Sequence, residues 1–316
     1  MIELGDIENA QQTISGRVHR TPTVSSLTLG RKMGMHLHFK AELFQKTGSF
    51  KPRGAINKLC SLTPEERKRG VITLSSGNHA QGLAYAASLF GIPTTVVMPS
   101  YSFKSKIDAA KGFGAEVIIT DDDLLKTCLQ IQKERNSVLV HPFDDPYIVA
   151  GQGTIGIEIL EDTPEVDVVI VAVGGGGLIS GIAAAVKMKK PDVKIVGVEP
   201  VGACAMWQSL QQDRPVHLES VDTIADGLAA PFAGEINFQL VKKYVDDLVL
   251  VSDEEIIEPL CLILERAKLL TEPAGAVPFA ALFQNKVHVP RGSEVVCVLS
   301  GGNLDRGRLA RFLTHA

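Results

Sequence analysis

The sequence lacks three features that would place it at once in a common class of protein. It has no excess of basic charge, because 32 basic and 36 acidic side chains are interspersed and give a net charge of -4. No apolar run approaches the roughly 20 residues of a membrane span. The first residues, MIELGDIENA, have neither the basic nor the apolar region of a signal peptide. We therefore expect a cytoplasmic protein without a nucleic-acid or membrane partner.

Paired cysteines are also absent. The five cysteines are odd in number, widely scattered and never spaced as Cys-x-x-Cys. This pattern predicts neither a disulfide framework nor a zinc site. The aspartate run at residues 121–123 has no His or Glu at ligand spacing, so we interpret it as a solvated turn. No metal site is predicted.

What the sequence does contain is an alternation of short Val- and Ile-rich runs with helical patterns. We interpret seven runs as buried strands: GVITL, TTVVM, AEVIIT, SVLV, DVVIVAV, VKIVGVE and VVCVLS. Segments such as HAQGLAYAASLF and LISGIAAAVKMKK separate them as helices. This alternation predicts an α/β fold with parallel sheets. Four of the runs lie within about residues 53–145, so we expect two domains of unequal size with a ligand cleft between them.

One lysine stands at a distinctive position. The stretch FQKTGSFKPRG, residues 44–54, places Lys51 directly before Pro52 and after a Thr-Gly-Ser turn. The residue before proline favours extended geometry, and Pro52 suits the first turn of a helix through RGAINKLC. The positive end of that helix disfavours an ammonium group and would shift Lys51 toward the neutral amine of Schiff-base chemistry. On this stretch alone, a solvated lysine is the more common alternative.

The segment VITLSSGNHAQGLAYAASL predicts a strand, a small polar turn and a helix. Its turn consists of Ser75, Ser76, Gly77, Asn78 and His79. Free backbone N–H groups at a helix N-terminus form a ready anion site, and a carboxylate is the natural ligand. The alternative is that Ser75 or Ser76 only caps the helix.

A second turn of the same kind is built from glycine. In DVVIVAVGGGGLISGIAAAVKMKK the residues at the turn are Gly174, Gly175, Gly176 and Gly177. Without side chains, the backbone can approach a bulky anion closely, and a phosphate is the usual one. A dinucleotide-binding fold is an open alternative because Glu199 ends the next strand, although Ser180 falls where the last glycine of G-x-G-x-x-G belongs.

A third loop, Ser300-Gly301-Gly302-Asn303, follows the last strand, where a hydroxyl would point into the cleft at the ligand edge of the sheet. Three such loops and an activated lysine are what a pyridoxal phosphate (PLP) site needs. The motifs SFKPRGA, SSGNHAQG, HPFDDP, AGQGT, GGGG, ADGLA, TEPAGA and LSGGN occur in that order. Over essentially its whole length the chain resembles the fold-type II PLP enzymes, specifically the threonine/serine dehydratase and serine racemase group.

The resemblance implies a tryptophan synthase β-like architecture, with a large PLP-binding domain at residues 1–52 and 146–316 and a small substrate-side domain at residues 53–145. It also implies a cofactor site. Lys51 would bind the cofactor aldehyde and later remove the substrate α-proton, while Phe50 would flank the ring. Asn78 would hydrogen-bond the 3'-oxygen, Gly174–Gly177 would hold the phosphate, and Ser300 would meet the pyridine nitrogen.

The same resemblance assigns the substrate carboxylate to Ser75, Ser76, Asn78 and His79, largely through backbone N–H groups. His79 is then expected to position the substrate rather than act as a base. Ser76 corresponds to the second acid/base of the racemases, which need a proton donor on each face, whereas dehydration needs only Lys51. Ser76 therefore permits racemisation without requiring it.

The expected function is a PLP-dependent ammonia-lyase for a small β-hydroxy amino acid such as L-threonine or L-serine, in a homodimer. A neutral Ser300 hydroxyl cannot keep the pyridine nitrogen protonated as an aspartate would, which favours β-elimination over a long-lived carbanion. The alternatives are a serine racemase, a lyase for 3-hydroxyaspartate or another hydroxyamino acid, and, from another class, a nicotinamide-dependent oxidoreductase. A PLP-binding protein without catalysis is disfavoured because the lysine and all three loops are intact.

Several positions depart from the family pattern. Glu199 and Ala203 match the cation site of metal-dependent relatives, but Ala205 stands where an Asp would be, so bound metal is not expected. Ala230 replaces the serine that racemases carry after the Ala-Asp-Gly motif, which favours the dehydratases. The sequence ends 13 residues after Asn303, and from this we expect no C-terminal regulatory domain and no feedback by isoleucine.

Overall fold

The computed structural model describes residues 2–314, and within this range it contains two β-sheets. The strands are β1 Thr23–Ser25, β2 His36–Ala41, β3 Val71–Leu74, β4 Thr94–Pro99, β5 Glu116–Thr120, β6 Val138–Leu139, β7 Val168–Ala172, β8 Lys194–Pro200, β9 Asp247–Val251 and β10 Glu294–Leu299. The larger sheet has the order β1-β2-β10-β7-β8-β9 and the smaller sheet the order β5-β4-β3-β6. All pairs are parallel except β1 with β2.

Helices fill the connections between the strands. Their bounds are α1 Leu4–Ile14, α2 Leu27–Met33, α3 Lys51–Cys60, α4 Pro64–Arg69, α5 Asn78–Ser88, α6 Lys104–Gly112, α7 Leu124–Arg135, α8 Pro146–Asp162, α9 Gly177–Lys189, α10 Ala205–Gln212, α11 Glu235–Tyr244, α12 Asp253–Leu262, α13 Pro273–Phe283 and α14 Arg306–Thr314. A parallel strand pair requires such a crossover, which explains why strand and helix patterns alternate along most of the sequence.

The α/β fold predicted from the sequence is confirmed, and each of the seven predicted runs contains a strand. The runs buried on both faces gave the clearest signal, because helices cover the six-stranded sheet on each side. On one side Val196, Val198 and Leu299 pack with Phe279 of α13, and on the other Val169 and Val171 pack with helices that include α9. Such strands are continuously apolar.

Three strands of the larger sheet, β1, β2 and β9, are absent from the sequence prediction. The first has only three residues, and β2 alternates apolar residues with His36, His38 and Lys40. Lys40 is fully buried in an ion pair with Glu158 at 2.7 Å, a partner that only the folded chain provides. The strands of the smaller sheet lie between residues 71 and 139, while the division of the chain at 52/53 and 145/146 stays a prediction.

Candidate active site

Lys51 is the first residue of α3, and backbone pairing brings it next to the loop after β10. The amide of Phe50 donates to the carbonyl of Ser300 at 3.1 Å, and Ser49 forms an isolated bridge with Gly301. The Lys51 Nζ donates to the Pro142 carbonyl at 2.9 Å. Burial lowers the pKa of Lys51 to about 8, and the Glu272 charge acts in the opposite direction. The predicted shift toward a neutral amine is present, with burial as its main cause rather than the helix dipole.

A buried ion network fixes the helix that carries Lys51. The Arg53 guanidinium is fully buried and makes two bidentate pairs. Its Nε and Nη2 donate to Glu42 at 2.8 Å each, and its Nη1 and Nη2 donate to Glu158 at 2.7 and 2.9 Å. Because Glu42 follows β2 and Glu158 lies in α8, this network ties the first turn of α3 to two other elements.

The Ser75–His79 turn forms the N-terminus of α5 beside Lys51. Gly77 is the N-cap residue and Ser75 Oγ accepts from the Gly77 amide at 3.1 Å, so neither serine caps the helix with its side chain. The amides of Ser76, Asn78 and His79 have no hydrogen-bond partner among residues 2–314. They are the free donors that an anion site requires.

His79 lies on the buried side of this turn. Its Nε2 is 3.4 Å from the Val140 carbonyl, and burial holds its pKa well below the usual value. The imidazole is therefore neutral near pH 7. The helix can approach Lys51 closely because Gly82 lies one turn on, where an added Cβ would come within 2.8 Å of the Lys51 Cβ.

The glycine turn connects β7 to α9 on the other side of the cavity. The amides of Gly174–Gly177 have no hydrogen-bond partner in the described chain. Gly176 is the N-cap with φ of 95°, and an added Cβ would come within 2.6 Å of Met206 and 2.8 Å of Asn237. Only glycine fits this backbone without strain.

These elements surround one cavity of about 430 Å³. It is lined by the predicted residues Phe50, Lys51, Ser75, Ser76, Asn78, His79, Gly174, Gly175, Gly176, Gly177 and Ser300. Ser300 directly follows β10 and is 5% exposed. These predicted residues come from four separate segments of the chain and converge on one space between the two sheets.

Glu272, a residue of the TEPAGA motif, was not assigned a role from the sequence. It is buried in the cavity wall and accepts a 2.5 Å hydrogen bond from Asn78 Nδ2. The signal available was an acidic residue directly before the proline that begins a helix, but the sequence does not show that this helix starts at the cavity.

The loops HPFDDP and ADGLAAPFAGE also line the cavity, and the sequence did not predict the individual contacts between them. The rings of His141 and Phe143 pack edge to face with their centroids 4.6 Å apart, and the ring centroids of Phe143 and Phe232 are 5.3 Å apart. Lys106 of α6 and Asp226 are joined by a 2.5 Å ion pair that spans the cleft. No spacing rule predicts these contacts, because the partners come from distant segments.

The chain matches the family described as pyridoxal-phosphate dependent enzyme over residues 14–301. It belongs to this family. It is 48% identical to an L-threonine ammonia-lyase of Thermotoga maritima over 99% of this chain and 78% of that protein. It is 42% identical to a catabolic L-threonine dehydratase of Staphylococcus aureus over 100% and 93% of the two chains. Maize serine racemase has a similar structure, with a TM-score of 0.93, 39% identity and coverage of 99% and 97%.

The cavity residues fit the cofactor of the family. A half-buried lysine with a partly neutral amine suits an aldehyde, and the unpartnered amides of the glycine turn suit a phosphate. The protein is thus a PLP-dependent enzyme of fold type II. The nicotinamide alternative loses its acidic residue, because both Glu199 carboxylate oxygens accept backbone amides of α10, from Met206 at 3.0 Å and Trp207 at 2.7 Å.

Glu199 also bears on the cation site of metal-dependent relatives. Its carboxylate is fully buried, and burial raises its pKa to about 8 despite the two amide donors. Ala205, at the position of the family Asp, begins α10 and offers no oxygen ligand from its side chain. Residues 2–314 contain no group of three or more acidic, His or Cys side chains suited to a metal ion.

Residues 2–314 also contain no helix with both the length and the apolar character needed to span a bilayer.

Proposed function

We propose that the protein is an ammonia-lyase that converts L-threonine or L-serine to a 2-oxo acid and ammonia. The observation that carries the proposal is Lys51, whose buried amine has a pKa of about 8 and opens into the cavity between the three loops. The relatives named above, an L-threonine ammonia-lyase and an L-threonine dehydratase, support the same reaction.

We assign the substrate carboxylate to the Ser75–His79 turn. Its unpartnered amides lie at the N-terminus of α5, where the helix dipole favours an anion. The neutral His79 ring stays buried against Val140 and supports the backbone of the turn. Binding of the carboxylate at this turn orients the α-carbon of the substrate toward Lys51.

Lys51 Nζ is the group that takes the α-proton. PLP, when bound, supplies an electron sink that acidifies this proton. Gly174–Gly177 would hold its phosphate, Asn78 its 3'-oxygen, Ser300 its ring nitrogen, and Phe50 would flank its ring. The Pro142 carbonyl accepts from Nζ at 2.9 Å and orients the free amine.

The overall reaction is balanced without any further reactant. The α-proton taken by Lys51 and the β-hydroxide leave together as one molecule of water, and the unsaturated amine released into solution consumes one molecule of water as it hydrolyses to a 2-oxo acid and ammonia. A serine rather than an aspartate at position 300 supports elimination, since a hydroxyl does not keep a pyridine nitrogen protonated.

The charges of the cavity favour a neutral substrate side chain over 3-hydroxyaspartate. No arginine is among the residues that line the described cavity. The second lysine there, Lys106, is already paired with Asp226. A second substrate carboxylate would have to break this pair, whereas the aromatic side chains Phe143 and Phe232 suit a methyl or hydrogen substituent.

Racemisation is the second candidate function. Ser76 lines the cavity, as a proton donor opposite Lys51 would, and maize serine racemase is structurally similar. Ala230 at the cleft, in place of the racemase serine, favours the lyase.

The test is a panel assay of the PLP-loaded protein with L-threonine, L-serine, D-serine and L-threo-3-hydroxyaspartate, with 2-oxo acid and enantiomer ratio followed together. We expect oxo acid from L-threonine or L-serine without inversion. Inversion of serine as the dominant reaction would make the protein a racemase. A Lys51→Ala variant that still released ammonia would contradict the role of Lys51.

We also propose a homodimer located in the cytoplasm, on the grounds of the family resemblance and of the features of the sequence. Light scattering of the purified protein and fractionation of the source cells test these two points. A monomer, or a membrane-associated pool, would contradict them.

A further inference from the structure

Glu272 occupies a junction of the active site that the proposed reaction does not use. It directly precedes Pro273, the first residue of α13, and its amide donates to the Gly301 carbonyl at 3.0 Å. Its side chain is 2% exposed and lies in the wall of the cavity. Through these contacts Glu272 connects the loop after β10, in the six-stranded sheet, to Asn78 at the start of α5.

A chain of hydrogen bonds gives the Asn78 amide one orientation. The Asn303 Nδ2 donates to the Thr47 carbonyl at 2.7 Å, and since a carbonyl can only accept, this bond fixes Asn303. The same Nδ2 donates to Asn78 Oδ1 at 2.9 Å. On its other side, Asn78 Nδ2 donates to Glu272 Oε1 at 2.5 Å.

An asparagine Nδ2 carries two hydrogens, and only one of them is used by Glu272. The other is available to a ligand in the cavity. If the amide rotated by 180°, Oδ1 would face the Glu272 carboxyl group and lose its donor from Asn303. We propose that Glu272 is a positioning residue that locks the Asn78 side chain with a donor, rather than an acceptor, facing the cofactor oxygen.

The lock holds across neutral pH. Four charged side chains surround Glu272. They are Lys51 on α3, Lys106 on α6, Arg308 on α14 and Asp226, which lies between β8 and β9. Burial raises the pKa of Glu272 to about 7, and Oε2 is buried without a hydrogen-bond partner. Asn303 Nδ2 holds Asn78 Oδ1 on the side away from Glu272 at either charge, and Glu272 Oε1 can accept from Asn78 Nδ2 in both states, so the orientation does not depend on the charge.

This inference rests on the proposed role of Asn78 in holding PLP, so the test measures cofactor binding without substrate. PLP is titrated at pH 9.5 into the cofactor-free parent and four variants: Asn78→Ala, Glu272→Ala, Glu272→Gln and the double variant Asn78→Ala/Glu272→Ala. At this pH the Lys51 amine is mostly neutral with or without the Glu272 charge. Glu272→Ala should weaken PLP binding about ten-fold or more, as expected for losing a hydrogen bond to an ionisable group. Glu272→Gln keeps an accepting Oε1 and should stay within about three-fold of the parent.

The double variant separates positioning from a general structural role. If Glu272 acts through Asn78, the double variant should bind PLP as weakly as Asn78→Ala alone, within about three-fold. Additive losses would overturn the inference, as would a Glu272→Gln protein as weak as Glu272→Ala. Parental affinity in Asn78→Ala would overturn it as well, and would leave the proposed lyase reaction to be judged by the ammonia assay.

Thermal melting of each cofactor-free variant checks that it is folded. If Glu272→Ala does not melt cooperatively, Glu272→Met repeats the measurement with the volume filled and the acceptor removed. We expect the same loss of affinity in that variant, and parental binding by a folded Glu272→Met protein would refute the lock.

Discussion

The titration of Lys51 provides a direct quantitative test of the site. With a pKa of about 8, the neutral fraction of its amine should rise roughly ten-fold between pH 7 and pH 9 and then level off. An ordinary lysine with a pKa near 10.4 would rise roughly a hundred-fold over the same interval without a plateau. The difference comes from burial, which disfavours the ammonium form.

The assay is competitive acetylation of the cofactor-free protein between pH 6 and pH 11, followed by mass spectrometry of the peptides. Lys104, whose side chain is 87% exposed, reports the behaviour of the reagent in the same molecule. Lys51 should be modified with a midpoint near pH 8. A curve for Lys51 that climbs a hundred-fold from pH 7 to pH 9 would refute the reasoning.

Glu272→Gln sharpens the test, because the Glu272 charge favours the ammonium form of Lys51. Removing that charge should move the Lys51 midpoint to lower pH, and an unchanged or raised midpoint would contradict the coupling.

The lowered pKa of Lys51 also determines how the free energy of unfolding changes with pH. Between about pH 8 and pH 10.5 the unfolded chain binds the extra proton, so this group makes folding more favourable as the pH rises through that window.

Two further substitutions test the supporting structure. Gly176→Ala should destabilise the protein by about 2 to 4 kcal/mol in denaturant unfolding, because of left-handed backbone strain and overpacking. Gly112→Ala is the control and should be tolerated, since the new Cβ would have no tertiary contact within 4 Å. Equal losses of stability in the two variants would contradict this account. Arg53→Met should cost about 3 to 5 kcal/mol because the buried Glu42 carboxylate loses its cationic partner and Glu158 keeps only Lys40. Arg135→Met, which breaks a half-exposed pair, should cost less than about 1 kcal/mol, and a reversed order would refute the account.

The sequence by itself determined the α/β class, the strands buried on both faces, and the candidate site residues. Helix starts and anion-binding turns are local properties. Pro52 predicts the start of α3, and small residues after a strand predict free amides at the next helix. These local signals, together with the family motifs, were sufficient to nominate Lys51, the Ser75–His79 turn, Gly174–Gly177 and Ser300.

Only the tertiary structure decided which charges act on these residues. The bond from Asn78 to Glu272 joins residues 194 positions apart, and the Lys106–Asp226 pair also joins distant segments. The burial that lowers the pKa of Lys51 likewise comes from packing. Strand β2 went unpredicted for the same reason, since Lys40 reads as a surface residue until Glu158 lies beside it. Electrostatic interactions depend on distance and burial, which are set by how the sheets and helices pack and are not encoded in any local pattern.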